Sequence, residues 1–282
     1  MHSFLDKIIS WAKLDESVRM MIQTGSHVRT DNTADDLSDF DIEVFVDDLS
    51  KFSDSDSWMK EIDEVWMYMP LTNSVGDPTR LVIFKDGIKV DFTLNKLSEV
   101  EKIKKEGYDD YFNKGFKVLL DKDDLGKDLP PPSYKTQSTK KPTQKEFTAL
   151  VEEFFFEAYH IPKYAKRGSL WTIKMRDWGI KELLLRMIEW YEKSLHGFDY
   201  DTWYTGHKLE KWADKDVYSE LQGTFAHFDK DDSLKALDAT MTLFRRIAKE
   251  TAKNLDFTYP EEVDKNMTSY IEKISKLDNI PS

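Results

Sequence analysis

Two aspartates, Asp39 and Asp41, stand two residues apart at the start of an alternating apolar segment. Because successive side chains of a β-strand point to opposite faces, both carboxylates project to the same side, about 6 to 7 Å apart along the backbone. Two like charges at this separation repel each other unless a cation relieves them. Mg²⁺ prefers oxygen ligands and is commonly held by one or two carboxylates together with substrate phosphates. The pair therefore indicates a magnesium site for phosphate chemistry.

A third carboxylate, Asp91, lies in a later segment whose apolar and polar residues also alternate. If that strand neighbours the strand of Asp41, three acids converge on one spot. We therefore predict that Asp39, Asp41 and Asp91 are both catalytic residues and metal ligands, with Asp91 acting as a metal ligand, a general base or both. Such a site suits in-line phosphoryl chemistry with two metal ions, one activating the attacking hydroxyl and one stabilising the leaving pyrophosphate.

A Gly-Ser pair, Gly25 and Ser26, precedes the two aspartates. Glycine permits close approach of the backbone, and Ser26 offers a hydroxyl and an N–H to a phosphate oxygen. The pair alone is a weak signal, because a glycine after a strand is most often a turn residue. The full order of Gly-Ser, Asp-x-Asp and one later Asp is much rarer than its parts.

The elements that would position these residues belong to a mixed α/β first half. Helical spacing predicts a helix over residues 4 to 14, capped by Ser3, and another over 96 to 106. The alternation of residues 41 to 47 predicts a strand that is covered on one face only. Further strands are predicted at 18 to 23, 65 to 69 and 117 to 121, and as two strands within 80 to 94 joined by a two-residue turn at Asp86-Gly87.

A linker separates this half from a helical one. Residues 126 to 143 contain three consecutive prolines and many Ser, Thr and Lys residues, which predicts an extended segment. Beyond it the apolar spacing follows the helical period, and most aromatic residues fall at core positions. Long helices are predicted at 144 to 160, 169 to 197, 216 to 225 and 233 to 255. We therefore predict an α+β protein with a mixed-sheet domain, 1–132, followed by an all-helical domain, 133–282.

Composition excludes several classes of protein. The net charge of -12 argues against a nucleic-acid partner, which would need many Lys and Arg contacts to phosphate, and suits a cationic ligand. The absence of cysteine excludes disulfides, thiolate metal sites and Cys nucleophiles. Because the chain has no membrane-spanning apolar run and no signal-peptide pattern, we expect a cytoplasmic protein without a membrane partner. Zinc-protease, dinucleotide and Walker A motifs are also missing from the sequence.

The ordered carboxylates and the sequence around them resemble a known family. The resemblance spans nearly the whole chain, in order. It is carried by GSHVRTDN (25–32), DFDIEVFVDD (39–48), KVDFTL (89–94), KVLLDKD (117–123), KPTQKEF (141–147), ELLLRMIEW (182–190) and FTYPEEVDKNMTSYI (257–271). The chain is similar to the nucleotidyltransferase superfamily and, more closely, to the bacterial aminoglycoside 6-adenylyltransferases, also called streptomycin adenylyltransferases.

This resemblance implies a polymerase-β-like nucleotidyltransferase domain followed by a helical substrate-binding domain. It implies transfer of AMP from Mg-ATP to a hydroxyl of streptomycin or a related aminocyclitol antibiotic, with release of pyrophosphate. Mg²⁺ is then the cofactor and ATP the co-substrate. By motif match, Asp39 and Asp41 would bind magnesium, Gly25 and Ser26 would hold the triphosphate, and Arg29 would pair with it.

For the cationic acceptor, acids on two helices of the second half are candidates. Carboxylates bind guanidinium and ammonium groups through charge-assisted hydrogen bonds. We predict Glu153, Asp177 and Glu182 as substrate-binding residues, although any single acid on a helix is more often solvated or paired four residues away. Lys208, which follows a glycine, is predicted to reach the triphosphate.

Two other functions stay open at this level. One is nucleotidyl transfer to a different acceptor, such as a lincosamide or a protein hydroxyl. The other is a catalytically silent module that binds a nucleotide and signals through its helices. A polymerase-like role with nucleic acid is the least favoured, because of the negative net charge.

Overall fold

The computed structural model describes residues 4–30, 34–73, 76–108, 110–135 and 139–277. The chain divides into two compact units, Met1–Thr136 and Gln137–Ser282. The predicted cap Ser3, the end of the Gly-Ser segment at 31–32 and the middle of the predicted linker at 136–138 lie outside the described residues. A mixed sheet forms in the first unit and helices form the second, which confirms the predicted α+β class.

Within the described residues, the first unit contains one six-stranded sheet. Its strands are β1 (Val18–Thr24), β2 (Phe40–Val46), β3 (Val65–Thr72), β4 (Pro78–Phe84), β5 (Lys89–Lys96) and β6 (Lys117–Asp121). Their order across the sheet is β3-β4-β5-β2-β1-β6. β2 and β5 run parallel, whereas every other neighbouring pair is antiparallel. The N-terminal ends of β2 and β5 therefore lie side by side.

Helices flank this sheet. They are α1 (Phe4–Leu14), α2 (Leu49–Ser53), α3 (Met59–Ile62), α4 (Ser98–Glu106) and α5 (Asp110–Asn113). The helix predicted over residues 4 to 14 is confirmed, since α1 has the same bounds. The prediction of a two-residue turn at Asp86-Gly87 was wrong: a 3₁₀ turn over Lys85–Gly87 joins β4 to β5, and Asp86 adopts the left-handed conformation within it.

The prediction that β2 is covered on one face only was also wrong. Ile42, Val44 and Val46 lie in the main core of the unit, as expected. On the opposite face, however, Phe45 is only 1 % exposed and belongs to a second apolar cluster. That cluster is completed by Met20, Ile22 and Val100. The face that carries Asp41 is therefore apolar at one end and polar at the other.

The second unit consists of helices in its described part. They are α6 (Gln144–Lys166), α7 (Leu170–His196), α8 (Leu209–Trp212), α9 (Lys215–Thr224), α10 (Lys230–Leu255) and α11 (Glu261–Ser275). The four predicted helices correspond to α6, α7, α9 and α10. α6 starts at a capping box in which Thr143 and Glu146 satisfy each other's backbone N–H groups. Among the described helices, none combines the length and apolarity needed to cross a bilayer.

The aromatic residues of the second unit divide between core and surface. Phe154 and Phe155 are fully buried, and Phe154 stacks on Phe244 with ring centroids 3.6 Å apart. The prediction that these aromatics are mostly core residues fails for Trp171, Trp178 and Phe156, which are 73 %, 64 % and 59 % exposed. The two tryptophans lie on α7 and Phe156 lies on α6, and the apolar spacing did not predict that these side chains are exposed.

Candidate active site

The N-terminal ends of β2 and β5 bring two of the predicted acids together. The register of the parallel pair sets Asp41 directly beside Asp91. Neighbouring strands lie about 4.8 Å apart, so the two carboxylates share one patch of the sheet surface. Asp39 lies just before β2 and is more open to solvent, with 41 % of its side chain exposed.

A lysine that the sequence analysis did not assign lies among these acids. Lys89 Nζ donates hydrogen bonds to Asp39 Oδ2 at 2.5 Å and to Asp91 Oδ2 at 3.0 Å. Burial by itself disfavours the charged ammonium, but the two carboxylates outweigh burial and raise the pKa of Lys89. The signal that could have found this residue is its position, because Lys89 and Asp91 are two apart on one strand and share a face.

The backbone of Gly25 lies close to the Asp41 carboxylate. Its φ of 74° lies in the left-handed region, and a Cβ built on it would lie 1.9 Å from Asp41 Oδ2. Any other residue would displace that carboxylate. A short 3₁₀ turn over Ser26–Val28 follows, with Arg29 in extended conformation at its end. The predicted nucleotide-binding residues Gly25, Ser26 and Arg29 thus lie on one turn, and that turn begins against Asp41.

Tyr111 is a second residue that the sequence analysis missed. Its hydroxyl, on the short helix α5, donates a hydrogen bond to Asp41. Burial raises the pKa of Asp41 to about 6; the Tyr111 hydrogen bond opposes this shift and the neighbouring Asp91 charge adds to it. Burial also raises the pKa of Tyr111, which keeps its hydroxyl protonated as a donor. The sequence gave no signal for this contact, because residues 109 to 113 carry no motif.

The chemistry of these donors fits a hard divalent cation. Asp91 Oδ1 is buried and has no hydrogen-bond partner among the described residues, and burial raises the pKa of Asp91 as well. Within the part of the chain that the structure describes, no three His, Cys, Asp or Glu side chains lie close enough together to hold a metal ion by themselves. Asp41 and Asp91 therefore fit an ion that brings further oxygen ligands with it, as Mg²⁺ does when it arrives with phosphates.

The two acids open onto a cavity of about 450 Å³ within the first unit. Its wall adds four further carboxylates, those of Glu43, Asp77, Glu99 and Glu106, and one ammonium, that of Lys102. Such an excess of negative charge in a concave site raises the local concentration of cations. The cavity is therefore suited to a cationic ligand.

A second cavity, of about 550 Å³, lies within the helical unit. Glu182 is on its wall and accepts a hydrogen bond from Trp178 Nε1 at 3.0 Å. Glu189 lies about two turns further along α7, and burial raises its pKa. Two cations, Lys181 and Arg186, also lie on the wall, and most of the rest is apolar, with Leu184, Leu185, Leu221 and Phe225. The cavity thus joins aromatic and aliphatic surface to two carboxylates and two cations.

The other predicted substrate residues lie elsewhere. Asp177 forms an ion pair with Lys181, with Lys181 Nζ 2.6 Å from Asp177 Oδ1. Lys181 Nζ also donates a hydrogen bond to Thr240 Oγ1 at 3.2 Å. Glu153 is exposed on α6. The structure therefore places Glu182 on the cavity wall, whereas Asp177 is engaged in a structural pair. Lys208, the predicted triphosphate contact, adopts the left-handed conformation and holds its Nζ 4.1 Å from the centroid of the Trp203 ring.

The sequence was then compared with known protein families. The family described as streptomycin adenylyltransferase matches residues 1–274. The chain belongs to this family. The match confirms the predicted resemblance, and it covers both the sheet unit and nearly all of the helical unit.

Several relatives of this family member align with it over nearly its full length. An aminoglycoside 6-adenylyltransferase of Bacillus subtilis (strain 168) is 27 % identical over 281 residues, with 96 % of each chain covered. An enzyme of the same name from Campylobacter jejuni is 28 % identical over 280 residues, covering 96 % of this chain and 94 % of the relative. A crystal structure of an aminoglycoside 6-adenyltransferase from Bacillus subtilis aligns with a TM-score of 0.49 and 23 % identity, covering 98 % of this chain and 100 % of that one.

Proposed function

We propose that this protein transfers AMP from Mg-ATP to a hydroxyl of streptomycin or a related aminocyclitol antibiotic, releasing pyrophosphate, in the cytoplasm. The observation that carries the proposal is the in-register pair of Asp41 and Asp91 at the Gly25 turn. Membership of the streptomycin adenylyltransferase family supports the nucleotide and the acceptor class, and the names of the relatives support the same chemistry.

In this proposal the Gly25 turn holds the nucleotide. Because Gly25 has no side chain, the Asp41 carboxylate lies against its backbone, which sets this proposed metal ligand beside the donors of the turn. The Ser26 hydroxyl and N–H are the donors to its oxygens, and Arg29 is the paired cation. Lys208 of the helical unit is proposed as a further cation for the triphosphate.

Two magnesium ions held by Asp39, Asp41 and Asp91 would lower the pKa of the acceptor hydroxyl and stabilise the negative charge of the leaving pyrophosphate. The acceptor oxygen forms a bond to the α-phosphorus as the bond to the bridging oxygen of pyrophosphate breaks. Asp91 is the proposed acceptor of the hydroxyl proton, because its Oδ1 has no hydrogen-bond partner among the described residues. Tyr111 orients Asp41 through their hydrogen bond.

We propose that the acidic cavity beside Asp41 and Asp91 receives the acceptor. Asp77, Glu99 and Glu106 on its wall are then the partners of the acceptor's ammonium or guanidinium groups. In the helical unit, Glu182 and Glu189 are the proposed contacts for such groups. The exposed Glu153 is a further candidate, and Asp177 serves chiefly as the counter-ion of Lys181.

An acceptor panel tests this proposal. Purified protein is incubated with ATP, MgCl₂ and streptomycin, spectinomycin, kanamycin or lincomycin, and pyrophosphate release is followed while mass spectrometry identifies the compound that gains AMP. We expect transfer to streptomycin or another aminocyclitol. Transfer of AMP only to lincomycin would assign a different acceptor. If the folded protein binds the nucleotide but transfers AMP to none of the compounds, the proposed transferase activity is refuted.

A further inference from the structure

The ammonium of Lys89 occupies the position where a cation of the catalytic centre is expected. It contacts one oxygen of Asp39 and one oxygen of Asp91, the two carboxylates that flank Asp41 in space. The Lys89 side chain thus supplies a positive charge that reduces the repulsion between the carboxylates of the first unit. Asp91 Oδ1, the other oxygen of the same carboxylate, is buried and has no hydrogen-bond partner in the described part of the chain. The lysine therefore satisfies only part of the negative charge.

The surroundings of Lys89 allow its ammonium to leave. The backbone of Lys89 is fixed by its pairing with Ile83 on β4, but its side chain is 34 % exposed, and so its four-carbon stem can swing toward solvent. Neither partner is locked either, since 41 % of Asp39 and 25 % of Asp91 stay accessible. A partly exposed ion pair of this kind is weak compared with divalent-metal coordination.

We propose that Lys89 is a displaceable counter-ion of the catalytic carboxylates: its ammonium holds Asp39 and Asp91 together until a divalent metal binds, and competes with that metal for the same oxygens. This inference rests on the proposed function, because it concerns the same metal site. Lys89 acts through the carboxylates, and so it is a positioning residue.

Competition follows from the atoms involved. A metal that binds Asp91 Oδ2 removes the acceptor of the Lys89 hydrogen bond, and the two cations would also repel each other. Displacing the ammonium lowers the net affinity for a metal that arrives alone. A metal that arrives with a nucleotide is affected less, because the phosphates supply further ligands and give the released ammonium a new anionic partner. Lys89 thus couples metal loading to nucleotide binding.

Binding of Mn²⁺ alone, followed by electron paramagnetic resonance of the free ion, measures this competition without catalysis. In Lys89→Met the metal no longer has to displace an ammonium, and we expect its dissociation constant to fall at least about tenfold relative to wild type. Lys85→Met is the matched control. Lys85 lies in the turn between β4 and β5, and it pairs with Glu64 at 3.7 Å instead of with Asp39 or Asp91. Its dissociation constant should equal that of wild type.

Thermal unfolding gives a second readout. In metal-free buffer, Lys89→Met leaves the acids uncompensated and should lower the Tm by about 2 to 4 °C, and saturating Mn²⁺ should restore it. Lys89→Arg keeps a cation at the carboxylates and should retain both the affinity and the Tm of wild type, which shows that the site folds with a substituted residue 89.

The outcomes separate two failures. If Mn²⁺ binds wild type, Lys89→Met and Lys85→Met equally well, or Lys89→Met more weakly, the counter-ion role is refuted while AMP transfer by wild type leaves the proposed function intact. If none of the proteins binds Mn²⁺ with or without ATP, and none transfers AMP, both the metal site and the role of Lys89 are refuted.

Discussion

The two units of this protein bury carboxylates in opposite ways. In the sheet unit, Asp41 and Asp91 lie side by side on neighbouring strands, and burial is the main cause of their raised pKa values. One oxygen of Asp91 has no hydrogen-bond partner in the described residues. In the helical unit, Asp264 is only 4 % exposed, yet its pKa is lowered. Burial acts on all three acids; their partners differ.

Asp264 has a complete set of donors. Arg245 Nε reaches both of its oxygens, at 2.7 and 3.0 Å, and Tyr259 and Thr268 each donate a hydroxyl at 3.0 Å. These contacts outweigh the burial that would otherwise raise the pKa. A buried acid with every lone pair satisfied has no capacity left for a ligand. Asp264 is therefore a structural residue that ties α10 to α11.

The contrast separates charges that stabilise the fold from charges that await a ligand. Asp177 with Lys181 follows the structural pattern, since the ion pair is nearly buried and extends to Thr240. Asp41 and Asp91 follow the other pattern, in which the folded chain bears a desolvation cost that a bound cation would remove. The same amino acid thus has different consequences for function in the two units.

Among these substitutions, Asp41→Asn should cause the largest loss of activity at the sheet-unit site. Loss of a metal-binding carboxylate removes several kcal/mol of transition-state stabilisation, so the rate of AMP transfer should fall by about 10³-fold. The Tm should stay equal or rise, because a desolvated charge is removed. Single-turnover kinetics and thermal unfolding measure the two effects. A variant that keeps wild-type turnover would show that Asp41 is not part of the catalytic centre.

Asp264→Asn applies the same substitution to the helical unit and should give the reverse result. It leaves the Arg245 guanidinium without its counter-charge, which should lower the free energy of unfolding by about 3 kcal/mol. Transfer per folded molecule should change little. Urea unfolding measures the loss, with Asp231→Asn as the exposed control on α10, where the pair with Lys230 is long, at 3.8 Å. Equal stability of the two variants would contradict the structural role of Asp264.

Gly25→Ala sharpens the description of the sheet-unit site. The new Cβ would collide with Asp41, whereas in Gly87→Ala, at a similar φ of 78°, it would meet nothing within 4 Å. Both substitutions carry positive-φ strain of about 1 to 3 kcal/mol, and the ψ of -157° at Gly25 belongs to a region that is essentially restricted to glycine. Only Gly25→Ala should also reduce transfer, by about 100-fold, because it displaces a carboxylate of the centre. If both variants lose activity equally, strain rather than the contact with Asp41 is responsible.

Acid titration gives the smallest effect. The folded-state pKa of Asp264 lies below that of an aspartate in the unfolded chain, so the folded protein binds fewer protons there. The stabilisation by this group is complete above the unfolded-state pKa and is lost as the pH falls through the folded-state pKa. The difference in unfolding free energy between wild type and Asp264→Asn should therefore shrink below about pH 4. A difference that grows on acidification would contradict the lowered pKa.

Much of this architecture could be predicted from the sequence because its signals are local. Helical spacing gave α1 its bounds, and alternation located β2 and β5 within one or two residues. The spacing of Asp39 and Asp41 and the glycine at residue 25 pointed to the site. Most of the wrong predictions concern the environment of a side chain, since alternation and helical spacing could not reveal that Phe45 is covered on the second face or that Trp171 and Trp178 stay exposed. The turn at Asp86-Gly87 is a local exception.

The amino-acid sequence by itself determined the α+β class and the family, and it indicated the residue types of the proposed catalytic centre, because these depend on periodicity and on motifs close together in the chain. Only the tertiary structure decided that β2 pairs with β5 in the register that joins Asp41 to Asp91, that Lys89 lies between Asp39 and Asp91, and that Tyr111 reaches Asp41. Strand order and burial arise from contacts between distant segments, and the charge state of an acid depends on what those contacts remove from water.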